Sequence, residues 1–149
     1  LWAREPDVVA SVNDAHENAR FLGGVALAPS LRATGDMEHA VRDRELVVYA
    51  PPSHVLRYVA GQGAADVPAD ATLAVASKGI ERESLAIMTD VVAQAVPGRP
   101  VVAISGPSFA AEVAARQPTA IVAAAEEPTA AGAVQLALSS AEFRVYSHD

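Results

Sequence analysis

The chain has 149 residues and a formal net charge of −7, with 51% hydrophobic and 19% charged residues, enough apolar material for one sizeable core and too much for a disordered segment. The acidic balance leaves no basic face to track a nucleic-acid backbone, and the absence of cysteine excludes disulfides and thiolate chemistry. No apolar run reaches the length of a membrane span, and Leu1-Trp2-Ala3-Arg4-Glu5 has no signal-peptide pattern, so a soluble, cytoplasmic protein is expected, with a true start missing before Leu1.

Val8, Val9 and Val12 recur at helical spacing after the acidic, proline-containing start, which predicts a helix from about Pro6 to Asn13. Asp14 to Ser30 is polar, then punctuated by Gly and Pro, and reads as a packed connecting loop. Leu31-Arg32-Ala33-Thr34 reads as a short edge strand, and Met37 to Arg44 holds a brief helix with Met37, Ala40 and Val41 inward.

Four apolar runs follow: Leu46 to Ala50, Leu73 to Ala76, Val101 to Ile104 and Ala120 to Ala124. They are short, continuous and Val-rich, the pattern of strands covered on both faces of a parallel sheet. Between them lie helical patterns. Ser53 to Ala60 is expected to bury Val55, Leu56 and Val59, and Glu83 to Val96 to bury Leu85, Met88, Val92 and Val96. Pro107 to Arg116 is Ala-rich, Pro128 to Leu138 carries Val134 and Leu138, and a last strand covers Phe143-Arg144-Val145-Tyr146. Strands alternating with helices predict a doubly wound, mainly parallel α/β sheet.

In such a sheet, ligands bind outside the carboxyl ends of the strands. The turns to inspect are then Pro51-Pro52-Ser53, Ser77-Lys78-Gly79-Ile80, Gly106-Pro107-Ser108 and the segment after Ala124. Lys78, just past a buried strand and followed by Gly, can hold its ammonium over the sheet edge; otherwise it merely snorkels into solvent. Gly106 permits close backbone approach and suits an N-cap, Pro107 suits the first helical position, and Ser108 then falls in the first turn beside free N–H groups. A strand-to-helix turn without a ligand uses the same residue types.

Together these segments resemble the cofactor-binding domain of bacterial-type NAD(P)-dependent glycerol-3-phosphate dehydrogenase. The resemblance rests on Leu1-Trp2-Ala3-Arg4, His16-Glu17-Asn18, Arg20-Phe21-Leu22, Leu31 to Thr34, Pro52-Ser53, Ala76-Ser77-Lys78-Gly79-Ile80-Glu81, Ser105 to Ala110, Pro118-Thr119-Ala120 and Phe143 to Tyr146, in family order. It implies a Rossmann-type sheet truncated at its N-terminus. Leu1 and Trp2 match the end of the second strand, so the first strand, the Gly-rich turn and its helix, about 30 residues in such units, are expected to be missing. The all-helical catalytic domain, with its proton-transferring lysine, would follow Asp149. Residues 1–149 would then be a partial dinucleotide-binding domain with no catalytic residue of its own and no turnover alone.

Carried over by position, the resemblance implies that Lys78 contacts both cofactor and substrate, that Gly106 and Ser108 contact substrate, and that Arg4 and Ala110 contact cofactor. The implied reaction interconverts glycerol 3-phosphate and dihydroxyacetone phosphate with NADPH or NADH, supplying glycerophospholipid synthesis. An arginine after the second strand suits the 2′-phosphate of NADP, so NADPH is the expected preference. Pro6 should hold Glu5 extended, with its carboxylate turned away from the ribose. Ser77, Pro51 and Gly23 depart from the family's usual Thr, apolar residue and Pro, and Pro51 leaves the path of its turn open. A homodimeric parent is compatible with this reading.

His16, His39, His54 and His148 have no metal-ligand spacing, so no metal site is expected. The charges from Asp36 to Glu45 read as a solvated face. Two alternatives stay open: a nucleotide-sensing module on the same sheet without catalysis, and another hydroxy-acid dehydrogenase of the same superfamily.

Overall fold

The computed structural model describes residues 1–148, which fall into two compact units, residues 1–42 and the chain from residue 43 on. In the first unit, helix α1 (Pro6–Ala10) begins with Pro at its first position and runs directly into a π-helical turn, Ser11–Ala15. The wider turn has local partners. Asn13 holds Ala33 through two hydrogen bonds of 2.9 Å, one in each direction, and Ser11 Oγ donates to the Glu17 carbonyl at 2.7 Å. Val8, Val12 and Ala33 form the core of this unit, with Ala3, Val9, Leu27 and Leu31 against it.

The expected loop from Asp14 to Ser30 contains an antiparallel hairpin, β1 (Glu17–Asn18) and β2 (Leu22–Ala26). It is held by polar side chains: Glu17 Oε1 accepts from the Gly24 N–H at 2.7 Å and Asn18 Oδ1 from Phe21 N–H at 3.1 Å. The edge strand expected at Leu31 to Thr34 is reduced to one parallel bridge between Trp2 and Thr34. Helix α2 (Met37–Val41) is capped by Asp36, whose carboxylate accepts from His39 N–H.

The second unit is a five-stranded sheet in the order β3 (Leu46–Tyr49), β4 (Thr72–Val75), β5 (Val101–Ser105), β6 (Thr119–Ala124), β7 (Phe143–His148). Each pair of neighbours is parallel except β5 and β6, which run antiparallel. Helix α6 (Pro128–Leu138) covers one face, its Ala130 and Val134 packing on Ala74, Val102, Ile104, Ile121, Ala123 and Val145. Alternation turns Leu73 and Val75 to the other face, where α3 (Ser53–Gln62) and α4 (Met88–Ala95) pack together and α4 meets β4 and β5.

Among the described strands only β4 is buried along nearly its whole length. On β6 burial alternates, leaving Val122 40% exposed, and α5 (Ala110–Ala114) buries no side chain. Helix α4 also starts five residues later than expected. Leu85 is 75% exposed in a left-handed conformation (φ 56°), since Glu81 to Ala86 closes a tight loop bridged at Ile80 and Ile87.

Candidate functional site

Strands β3, β4 and β5 end at one edge of the sheet, and the antiparallel β6 begins there. The reversal removes one expected site element: the segment after Ala124 leaves from the opposite edge. In its place the start of β6 stands beside the turn that follows β5.

Lys78, the single lysine of the chain, leaves the end of β4 and crosses to β5, where its ammonium donates to the Ile104 carbonyl. Burial pushes the Lys78 amine below the usual lysine range, while the residue stays open to solvent. The neighbouring residues fix its departure. Ser77 is buried and its hydroxyl donates to the Pro51 carbonyl at 2.5 Å; Gly79, at φ 124°, packs where a Cβ would lie 3.4 Å from Ser53 Oγ. A shallow cavity of about 210 Å³ opens here, lined by Ser77, Lys78, Met88, Thr89, Ile104 and Ser105. That is below the roughly 300–1,000 Å³ usual for a whole ligand pocket, so these residues form one wall of a site.

Beyond Ser105 the chain departs from expectation. Helix α5 starts at Ala110, with Phe109 as N-cap, so Gly106 is not an N-cap, Pro107 is not the first helical residue, and Ser108 lies in the loop before the helix. The reason is the approach of β6. Gly106 (φ 152°) sits where a Cβ would meet the Ala120 carbonyl oxygen and Ile121 Cα at 2.8 Å, so the close approach it permits is by the chain itself. Ser108 is exposed and its hydroxyl donates to the Gly106 carbonyl at only 3.4 Å, a weak hold that a better acceptor can replace. Ala110 begins α5, exposed.

Lys78, Gly106 and Ser108 therefore gather at the end of β5, because the lysine reaches the carbonyl two residues before Gly106. Arg4 belongs to the first unit. Its guanidinium is 80% exposed and donates to Glu5 Oε1 at 3.0 Å. Glu5 has the extended backbone expected before Pro6 (φ −86°, ψ 119°), but its carboxylate faces Arg4.

Sequence reasoning passed over the group that ties down the lysine turn. Glu81 accepts from Arg57 Nε at 2.8 Å and Nη2 at 2.7 Å and from Ser84 Oγ at 2.5 Å, while Arg57 also donates to Gln94 Oε1 at 2.9 Å. The hydrogen bonds from Arg57 and Ser84 hold the Glu81 carboxyl down at about 2, and the bond to Glu81 raises the Arg57 guanidinium. Glu81 stands in the run Lys78-Gly79-Ile80-Glu81; the available signal was that Ser53 and Arg57 lie one helical turn apart, on one face.

A profile of the family described as NAD-dependent glycerol-3-phosphate dehydrogenase N-terminus matches residues 1–131. Over 147 residues the chain is 42% identical to the glycerol-3-phosphate dehydrogenase [NAD(P)+] of Caulobacter vibrioides and 41% to that of Rhodospirillum rubrum, covering 99% of this chain and 44% and 42% of theirs. The chain thus spans less than half the length of these relatives. The crystal structure of the Coxiella burnetii glycerol-3-phosphate dehydrogenase superposes with a TM-score of 0.91 at 29% identity, over 100% of this chain and 46% of that one. The mainly parallel α/β sheet is the Rossmann-type fold of these dehydrogenases' N-terminal part.

Proposed function

Since the chain belongs to the NAD-dependent glycerol-3-phosphate dehydrogenase family, we propose that its protein interconverts sn-glycerol 3-phosphate and dihydroxyacetone phosphate with a nicotinamide cofactor, supplying glycerophospholipid synthesis. In this reading residues 1–149 are part of the dinucleotide-binding domain. The observation that carries it is the single lysine held at the carboxyl edge of the parallel strands, beside the Gly106 to Ser108 turn.

The donor set at this edge fits a polar, anionic ligand: one ammonium, two exposed serine hydroxyls at Ser105 and Ser108, and no carboxylate among the cavity's lining residues. The cofactor supplies the hydride, and the protein's part is orientation. Lys78, already partly stripped of water, exchanges the Ile104 carbonyl for a substrate or cofactor oxygen at little further desolvation cost. Ser108 offers its hydroxyl to the substrate, Gly106 keeps the turn against β6, and Ala110 presents no bulk toward the cofactor. Arg4 meets the adenosine end and favours NADPH over NADH. A cytoplasmic, homodimeric parent that binds no nucleic acid completes the reading, the last supported by the net charge of −7; among the described residues no helix is long and apolar enough to cross a membrane. Incubating the whole protein with dihydroxyacetone phosphate and NADPH or NADH should oxidise the cofactor. Oxidation no faster than with unrelated keto acids would refute the assignment.

A further inference from the structure

We propose that Glu81 is a positioning residue for the reaction: clamped by Arg57, it fixes the turn from which Lys78 reaches the end of β5. The proposal rests on the dehydrogenase reading above, in which Lys78 touches substrate and cofactor. Glu81 itself touches neither and acts through the lysine.

Helix α3 carries both partners of the lysine turn. Ser53 and Arg57 lie four residues apart, so they share one face of the helix, one turn or about 6 Å along its axis. The lysine turn is tied to both. Gly79 packs on Ser53, and Glu81 takes two charge-assisted hydrogen bonds from Arg57 in a fork that fixes direction as well as distance. Arg57 is itself held by Gln94 of α4, and Glu81 also by Ser84, so neither partner of the pair is a loose surface side chain. On the other side of Lys78, buried Ser77 is bonded to the Pro51 carbonyl. Three anchors therefore bracket the one residue of this turn whose side chain crosses to β5. A lysine has four flexible side-chain bonds, and its ammonium stays on one carbonyl only if its Cα is fixed; the Glu81 clamp supplies that on the C-terminal side.

A purely structural Glu81 would lower stability and leave the lysine's contribution untouched, so a double-mutant cycle on the whole protein separates the two roles. The set is wild type, Glu81→Gln, Lys78→Met and both together, with kcat/KM for dihydroxyacetone phosphate and the urea midpoint of each. Misplacing a catalytic contact by a fraction of an ångström to one ångström costs about ten- to hundredfold. Glu81→Gln should therefore lower kcat/KM by about tenfold when Lys78 is present. In the Lys78→Met background the same change should cost less than about twofold, while the midpoint falls equally in both. Equal fold-losses in the two backgrounds, or no loss in either, overturn the proposal. If Glu81→Gln does not fold, Arg57→Gln enters the cycle in its place with the same expectation. A wild type that shows no activity overturns the dehydrogenase reading and this role with it, whereas an active wild type with equal losses overturns only the role of Glu81.

Discussion

Replacing Gly106 by alanine tests the packing that shapes the turn after β5. A Cβ there would lie 2.8 Å from each of the Ala120 carbonyl oxygen, Ile121 Cα and Ile121 Cγ2, at φ 152°. Two of these three atoms are backbone of a strand already paired to β5, so no rotamer change moves them aside. An alanine held in a glycine-only backbone region costs about 1–3 kcal/mol. Forcing a methyl into filled space costs about 1–3 kcal/mol more. Together they give roughly 2–6 kcal/mol against the 5–15 kcal/mol that holds an ordinary domain. The turn and the β5–β6 pairing should yield together, with kcat/KM falling alongside stability.

The assay is thermal unfolding of the whole protein, followed by circular dichroism. Gly132→Ala is the control: Gly132 lies within α6, a Cβ there meets nothing within 4 Å, and alanine should stabilise by about 0.5–1 kcal/mol. The two substitutions are thus expected to differ in sign. Adding Ile121→Ala to Gly106→Ala should not restore stability, since it leaves both backbone contacts in place. A Gly106→Ala protein as stable as wild type, or one rescued by Ile121→Ala, would refute the reasoning.

Lys78→Met keeps the stem and removes the charge, so unfolding should be little changed while kcat/KM falls about ten- to a hundredfold, the worth of one charge-assisted hydrogen bond of about 1.5–3 kcal/mol; unchanged kinetics would return Lys78 to a solvated side chain. The Glu81 carboxyl is depressed from 4.5 to about 2, so its contribution to stability is complete above about pH 4.5 and is lost as pH falls toward 2. The gap in urea midpoint between wild type and Glu81→Gln should accordingly narrow over that range. A gap independent of pH would contradict the Arg57 clamp.

The parts of the fold legible in the sequence are those whose pattern is local. Helix α6 has the predicted bounds, because Pro128 fits its first position and its apolar side faces the sheet. Strand β4 is a continuous apolar run because both its faces are covered. The direction of β6 was not legible: a run of Thr, Ala, Ile and Val reads the same up or down the sheet, and only the pairing of Ile104 with Ala123 settles it. Two consequences were missed with it, the exposed face of β6 and the identity of what approaches Gly106. The start of α4 failed differently. Leu85, Met88 and Val92 keep a helical period, but backbone bonds between Glu81 and Ala86 and the Ile80–Ile87 bridge close the segment before Met88 into a loop, with Leu85 outward and Glu81 held by Arg57. That pair joins positions 24 residues apart, and its one local sign, Ser53 and Arg57 on the same helical face, does not point to Glu81. Lys78 was legible because a lysine just past a buried strand is conspicuous; Glu81, an acidic residue three positions on, is not.

The arrangement at Arg4 turns the question of cofactor preference into one about its neighbour. Proline at position 6 does hold Glu5 extended, but an extended backbone does not decide where a carboxylate goes, and here it goes to the guanidinium at 3.0 Å. A 2′-phosphate, carrying roughly −1.5 to −2 charges, must therefore either displace that carboxylate or lie beside it. With Arg4 80% exposed, the existing pair is worth at most about 1 kcal/mol, so displacement is feasible and its cost is a factor of up to about five in NADPH affinity. The two substitutions then act in opposite directions. Arg4→Ala should raise the Michaelis constant for NADPH with little effect on NADH, whereas Glu5→Gln should lower the NADPH constant by up to about fivefold, freeing the guanidinium and removing the repulsion. Measuring both cofactors with wild type and each variant distinguishes a phosphate-binding arginine from one that serves only its own neighbour: if Glu5→Gln leaves the NADPH constant unchanged and Arg4→Ala does too, the 2′-phosphate is not recognised at this position.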